Sequence, residues 1–140
     1  KLGFTVAQTM SIAQRLYENG RITYMRTDSV NLSSLCLGAS KKVIAETMGK
    51  EYVKTRNYHT SARGAQEAHE AIRPTYMEQS EIEATPQERR LYDLIWKRTI
   101  ASQMADAEIE KTTVTISIKG SDEFFVANGE VVKFDGYRRV

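Results

Sequence analysis

The sequence is poor in cysteine and has no long hydrophobic run, and each shortage excludes a class of protein. The single cysteine, Cys36, rules out an internal disulfide and a zinc site built from cysteines. Cys36 lies between two leucines, which indicates a small packing residue. No apolar stretch reaches the roughly 20 residues of a membrane-spanning helix, and no signal peptide is visible. We therefore expect a cytoplasmic protein with no membrane partner.

Clustered acidic residues are also missing. The chain contains no Asp-x-Asp pattern, and its carboxylates are scattered along the second half. Because Mg²⁺ needs several convergent oxygen ligands, the sequence predicts no metal site within the chain. Residues 1–74 carry 11 Lys and Arg against 6 Asp and Glu, whereas residues 75–140 carry 9 against 12. The basic first half favours a polyanionic partner.

Hydrophobic periodicity predicts helices followed by strands. Apolar residues recur every three or four positions over 5–19, 33–48 and 85–104, with Val6 and Leu35 among the inward-facing residues. Strict alternation then predicts a strand over 113–119. Two further strands, over 123–127 and 131–134, are predicted on either side of a hairpin signal at Asn128-Gly129. The expected fold class is α+β, mainly α, with a helical domain over 1–105 and part of a β-rich domain over 106–140.

A short extended run after the first helix contains a candidate nucleophile next to a cation. Residues Ile22 to Arg26 combine β-branched and aromatic types between Gly20 and a turn, which predicts a strand. On a strand, Tyr24 and Arg26 point to the same side. A neutral phenol is a poor nucleophile, and a nearby guanidinium favours its ionised form and neutralises a phosphate under attack. The pair would suit attack on a phosphate, but most tyrosines in a domain are packing residues, so this pattern alone leaves both roles open.

A second candidate segment follows a polar loop over 50–64. The sequence predicts a short helix from Gly64 to Ile72, which Pro74 prevents from continuing. On that helix His69 and Arg73 would share a face, being four residues apart. Close to Tyr24, His69 would either hold a phosphate as a cation or pass protons.

Two stretches together resemble the active-site segments of type IA DNA topoisomerases, on the bacterial topoisomerase I branch. The first is Ile-Thr-Tyr-Met-Arg-Thr-Asp-Ser over 22–29, preceded by Ala-Gln-Arg-Leu-Tyr-Glu over 13–18. The second is Gln-Glu-Ala-His-Glu-Ala-Ile-Arg-Pro-Thr over 66–75. The resemblance implies a winged-helix-like domain bearing the nucleophile, followed by strands of a hinge domain.

The resemblance also implies residue roles. Tyr24 would attack a backbone phosphate of single-stranded DNA and give a 5′-linked phosphotyrosine, with Arg26 and His69 as further catalytic residues. Both segments must then meet at one phosphate, so Tyr24 and His69 are expected to approach each other in the fold. Resealing needs no ATP, and negative supercoils are relaxed. Residues implied to contact DNA are Gln14, Glu18, Thr23, Thr27, Asp28, Arg63 and Arg73. Asp28 would either cap backbone donors or orient Arg26.

Parts of such an enzyme are expected elsewhere in its polypeptide. The family's Mg²⁺ is bound by an acidic domain that would precede residue 1, so this chain is expected to bind no cofactor itself. Its partners would be single-stranded DNA and the remaining domains of the same polypeptide, and alone it is predicted to be inactive. Two alternatives stay open: a single-stranded-DNA-binding module without chemistry, and another tyrosine strand-transferase such as a site-specific recombinase.

Overall fold

The part of the chain that the structure describes contains three α-helices and one two-stranded sheet. A computed structural model describes residues 1–58 and 69–140. In chain order the elements are helices α1 (Val6–Glu18), α2 (Ser34–Thr47) and α3 (Pro86–Ser102) and strands β1 (Glu108–Ser117) and β2 (Phe124–Phe134), with 3-10 turns at Lys50–Tyr52 and Gly136–Arg139. This content confirms the predicted α+β class. The predicted domain boundary near 105 falls between α3 and β1 and stays a prediction.

The helices begin where short polar side chains can cap them. Thr5 and Ser33 accept hydrogen bonds from the first turns of α1 and α2. At α3, Thr85 and Glu88 form a reciprocal capping box. Glu88 also accepts a 2.8 Å hydrogen bond from Arg15, which links α3 to α1. Hydrogen bonds from Arg15 and Thr85 hold the pKa of the Glu88 carboxyl below its ordinary value.

One hydrophobic core joins the three helices to the segment that follows α1. Burying each large apolar side chain contributes about 1.5–3 kcal/mol. The fully buried side chains of this core include Ile12, Leu16, Ile22, Cys36, Ile44, Met77, Tyr92, Ile100 and Met104. Val6 and Leu35 were expected inside but are 83% and 79% exposed, because the helices turn Ile12 and Cys36 inward instead. No helix within 1–58 or 69–140 has the length and apolarity to cross a bilayer.

The hairpin differs from the predicted one. β1 and β2 pair antiparallel along their whole length, with Asn128 opposite Thr113 and Gly129 opposite Thr112. The predicted turn at Asn128-Gly129 and the predicted third strand are therefore wrong. The chain reverses around Gly120, whose φ of +85° suits a residue without a Cβ. Inside β2, Asn128 accepts a 2.9 Å hydrogen bond from the Thr113 hydroxyl, so its side chain serves the ladder.

The base of the hairpin is fastened to the helical part. The Tyr52 hydroxyl donates to Asp135 at 2.7 Å, and the Tyr52 and Phe134 rings lie 4.7 Å apart. Gly136 has φ +50°, and a Cβ there would lie 2.4 Å from the Asp106 carbonyl oxygen. Only glycine fits at position 136, where the chain passes close to the Asp106 carbonyl. Away from this base, both faces of the hairpin are exposed.

Candidate functional site

The end of α1 directs the chain toward Tyr24. The Gly20 amide donates to the Tyr17 carbonyl and the Arg21 amide donates to the Leu16 carbonyl, both at 2.8 Å. These two bonds, with Gly20 at φ +66°, form a Schellman motif that ends the helix. The turn places Tyr24 four residues beyond a glycine whose conformation is fixed.

The Tyr24 segment is not the strand that the sequence predicted. Its only ladder partner in the described structure is a single bridge between Ile22 and Pro74. Ile22 and Met25 are buried, whereas Tyr24 is 41% exposed and Arg26 is also exposed. Strict alternation fails because Ile22 and Tyr24, two residues apart, face different environments. Tyr24 and Arg26 nevertheless both reach the surface.

Thr23 joins the Tyr24 segment to the chain near residue 73. Its amide donates to the Arg73 carbonyl and its hydroxyl accepts from the Arg73 amide, both at 2.9 Å. The same hydroxyl donates to the Ala71 carbonyl at 2.7 Å. Thr23 therefore uses its hydrogen-bonding groups within the protein. Its predicted contact with DNA stays a prediction.

This connection brings Tyr24 and His69 together. Their ring centroids lie 6.3 Å apart with the planes at 79°, an edge-to-face arrangement. The prediction that these two side chains meet is confirmed. They share an open cleft of about 530 Å³ with Tyr17, Thr23 and Glu70.

The predicted helix over 64–72 is wrong where it can be tested. Residues 64–68 lie outside the described residues, and 69–72 are not helical. The Ala71 amide bonds instead to the Asn31 carbonyl at 2.8 Å, so it cannot serve an i→i−4 ladder. His69 and Arg73 consequently share no helical face. His69 borders the cleft, while Arg73 is 8% exposed and points inward.

Arg73 and Glu70 form a partly buried clamp behind the cleft. Arg73 Nη2 contacts the Glu70 carboxylate at 2.7 Å, and Arg73 Nη1 donates to the carbonyls of Pro74 and Thr75. Glu70 also accepts a 2.7 Å hydrogen bond from the Ser33 amide at the start of α2. Burial opposes ionisation of Glu70, but the hydrogen bonds from Arg73 and Ser33 outweigh it and lower the pKa of the carboxyl.

Sequence reasoning missed Glu70. It directly follows His69 and precedes Arg73 by three residues, a spacing that suggests a local ion pair. Its bond to Ser33 could not be foreseen, because Ser33 lies 37 positions away in the chain. The clamp ties the His69 segment to α2, as Thr23 ties it to Tyr24.

The other predicted site residues do not line the Tyr24 cleft in the described structure. Gln14 and Glu18 share one side of α1, where the Gln14 amide donates to the Glu18 carboxylate at 2.6 Å. Thr27 and Asp28 line a separate hollow of about 590 Å³, beside Tyr58, Ile72 and Arg98 of α3. Asp28 does not cap α2, since Ser33 holds that position. Arg63 lies outside the described residues.

The carboxylates and imidazole of the described structure do not fit a metal centre. Across 1–58 and 69–140, no group of three or more His, Cys, Asp or Glu side chains could hold a metal ion. The chemistry derived from these residues therefore includes no step through Mg²⁺.

Comparisons with known proteins agree across the whole chain. A family model described as DNA topoisomerase matches residues 1–140. The chain is 46% identical over 139 residues to DNA topoisomerase 1 of Zymomonas mobilis and 47% identical over 144 residues to that of Pseudomonas aeruginosa. These alignments cover 98% and 100% of this chain but 11% and 16% of the relatives, so the chain spans only a small part of their length.

A solved structure is similar over the same length. Full-length topoisomerase I from Thermotoga maritima matches with a TM-score of 0.83 and 38% sequence identity. The match covers 100% of this chain and 24% of that one. Sequence and fold thus point to the same group of bacterial proteins.

Proposed function

The chain belongs to the DNA topoisomerase family, and from that premise we propose that it carries the nucleophile of a type IA enzyme. Tyr24 cleaves one DNA strand and allows its resealing, and the complete enzyme relaxes negative supercoils without ATP. The observation that supports this most strongly is the meeting of Tyr24 and His69 in one open cleft. Both residues belong to the segments that resemble the type IA active site.

The proposed reaction is a transesterification at a backbone phosphate. A bond forms between the Tyr24 hydroxyl oxygen and phosphorus, and the bond between phosphorus and the departing deoxyribose oxygen breaks. The phenol loses its proton and the departing oxygen gains one. The number of phosphodiester bonds is conserved, so the reverse attack reseals the strand without another energy source. By resemblance, the 5′ end remains on Tyr24.

Arg26 and His69 supply charge and proton transfer in this proposal. Arg26 is exposed two residues after Tyr24, and its proposed role is to pair its guanidinium with the phosphate under attack. His69 borders the cleft from the opposite segment. It either stabilises the phosphate as a cation or carries the proton between the phenol and the departing oxygen.

Single-stranded DNA is the proposed partner of the surface around the cleft. On the last turns of α1, Glu18 is exposed and Gln14 is half-buried, and a carboxylate there favours contact with a base or sugar over a phosphate. Thr27 and Asp28 extend the surface past Arg26. Arg73 is the exception, because its burial and its pairing with Glu70 favour an indirect role through the clamp.

The complete protein would supply what these residues do not. We propose that Mg²⁺ binds to another domain of the same polypeptide, where it neutralises charge on the phosphate. A cytoplasmic location follows from a DNA substrate in bacteria. By itself, the 140-residue chain should bind single strands weakly and more weakly still as salt rises, because a few Lys and Arg side chains give mainly a counterion-release contribution. It should not relax supercoiled DNA.

The test is Tyr24→Phe in the full-length protein. The variant loses only the nucleophilic oxygen, so no covalent adduct should form while single-strand binding stays nearly intact. Denaturing gels of labelled oligonucleotide detect the adduct, and Tyr137→Phe, an exposed tyrosine outside the cleft, is the matched control. An adduct that survives in Tyr24→Phe would refute the proposal. Submicromolar binding by the 140-residue chain at physiological salt would favour the alternative of a binding module.

A further inference from the structure

Besides His69, Tyr17 also packs its ring against Tyr24. The two ring centroids lie 5.3 Å apart with the planes at 70°, closer than the 6.3 Å between Tyr24 and His69. Tyr17 borders the same cleft and is 40% exposed. Tyr24 therefore has two aromatic neighbours, one from α1 and one from the His69 segment.

The position of Tyr17 is set by a rigid part of the fold. It occupies the last turn of α1, directly after Leu16, which is 1% exposed. Its carbonyl accepts the Gly20 amide at 2.8 Å in the turn that leads to Tyr24. The hydrogen-bonded end of α1 thus fixes the backbone of Tyr17 relative to the chain that leads to Tyr24. This arrangement keeps the two rings in contact.

The backbone beside Tyr24 is held by the hydrogen bonds of Thr23, but these bonds do not fix the Tyr24 side chain. That side chain is 41% exposed, so its ring would otherwise sample several rotamers. Edge-to-face contacts restrict that freedom and favour one orientation. A nucleophile must lie within about 3–3.5 Å of its target in the correct direction, so orientation contributes directly to rate.

We propose that Tyr17 is a positioning residue that holds the Tyr24 ring so that its hydroxyl points into the cleft. This inference rests on the proposed role of Tyr24 as nucleophile. Tyr17 acts through its ring and not through its hydroxyl, and it need not touch the DNA. Tyr17 therefore raises the rate of cleavage and does not change the affinity for the DNA strand.

The experiment compares Tyr17→Leu with Tyr17→Phe in the full-length protein. Single-turnover cleavage of a labelled oligonucleotide at saturating enzyme measures rate. Strand affinity is measured by fluorescence anisotropy with each change placed in a Tyr24→Phe background, where no cleavage occurs. Tyr17→Leu should lower the rate about two- to tenfold with the dissociation constant unchanged, since it removes one aromatic pair. Tyr17→Phe should restore most of the rate.

Controls separate this inference from the proposed function and from loss of folding. Tyr137→Leu removes an exposed tyrosine outside the cleft and should leave both measurements unchanged. Thermal melts should give both Tyr17 variants an unfolding midpoint close to that of the wild-type protein, which would show that neither change unfolds the chain. If Tyr24→Phe still forms adduct, the proposed function fails whatever Tyr17 does.

Three results would overturn the role of Tyr17 alone. An unchanged rate in Tyr17→Leu would show that the ring is not needed. Weaker binding with an unchanged saturated rate would make Tyr17 a stacking surface for a base. Equal loss in Tyr17→Phe and Tyr17→Leu would place the effect in the hydroxyl.

Discussion

The Tyr24 cleft and the β1–β2 hairpin are held in opposite ways. Around Tyr24, side chains and backbone from distant parts of the sequence bond to each other, through Thr23, Ser33, Glu70 and Arg73. The hairpin is held by its own ladder and, at its base, by the contacts of Tyr52. Loss of one contact at the cleft should therefore alter the position of His69. Loss of one contact at the hairpin should alter only its attachment.

The largest effect is expected at Arg73. Arg73→Ala leaves the partly buried Glu70 carboxylate without its cation and removes the donors to Pro74 and Thr75. We expect a loss of about 2–4 kcal/mol in the free energy of unfolding, together with strongly reduced cleavage by the full-length protein. Urea unfolding and adduct formation measure the two effects.

The matched control for Arg73 is an exposed ion pair. Lys97 and Asp93 lie on α3 with about half of each side chain exposed. Lys97→Ala should cost no more than about 0.5 kcal/mol. Equal losses in the two variants would mean that the Glu70–Arg73 clamp has no special importance.

At the hairpin, Gly136→Ala should have the next largest effect. The added Cβ would meet the Asp106 carbonyl in a left-handed backbone conformation, which predicts a loss of about 2–3 kcal/mol. Gly129→Ala within β2 is the control, because a Cβ there meets nothing within 4 Å. Thermal unfolding compares the two. Similar midpoints would contradict the close crossing between Gly136 and Asp106.

The Glu70 clamp should also respond to pH. Because the pKa of Glu70 is lowered in the folded chain, its stabilising contribution is present above its unfolded pKa, about 4.3, and is lost as pH falls through the folded value. Glu70→Gln should reduce stability by about 1–2 kcal/mol at neutral pH, and less as pH falls below about 4. Urea midpoints across pH 3–7 measure this.

Glu83→Gln, at an exposed position, is the control for that series. Its midpoint should follow wild type at every pH. A difference between Glu70→Gln and wild type that stays constant from pH 7 to pH 3 would exclude an ionised Glu70 as the cause.

The smallest effect concerns the turn that leads to Tyr24. Gly20→Ala places a Cβ at φ +66° and should cost about 1 kcal/mol. Gly38 lies within α2 with open space around it, so Gly38→Ala should instead stabilise the chain by up to about 1 kcal/mol. Opposite shifts of the unfolding midpoint are expected. A shift of the same sign in both would contradict the helix end described at Gly20.

Local features were predictable from the sequence, and long-range ones were not. The predicted helix over 85–104 agrees with α3, whose capping box depends only on Thr85 and Glu88, three residues apart. The turn was misplaced at Asn128-Gly129 because hairpin register depends on both strands at once, and the ladder runs through that dipeptide. The prediction that Leu35 is buried was wrong because α2 is only weakly amphipathic, and it buries Cys36, Ser40 and Ile44.

The same division applies to the candidate site. Tyr24 and His69 were found through segments that resemble a known family, and their meeting was predicted from that resemblance. The role of Glu70 was missed because it depends on Ser33 and Arg73 together. Tyr17 lies within the predicted helix over 5–19, and only the folded turn at Gly20 places it against Tyr24.

The most direct test of the central claim is to identify the residue that carries the DNA. The full-length protein is trapped on a labelled single strand, digested with trypsin after nuclease trimming, and analysed by mass spectrometry. Trypsin cuts after Arg21 and Arg26, so Tyr24 should appear in the peptide Ile22–Arg26, with a nucleotide on its phenolic oxygen. A nucleotide on any other peptide, with Ile22–Arg26 unmodified, would contradict the account.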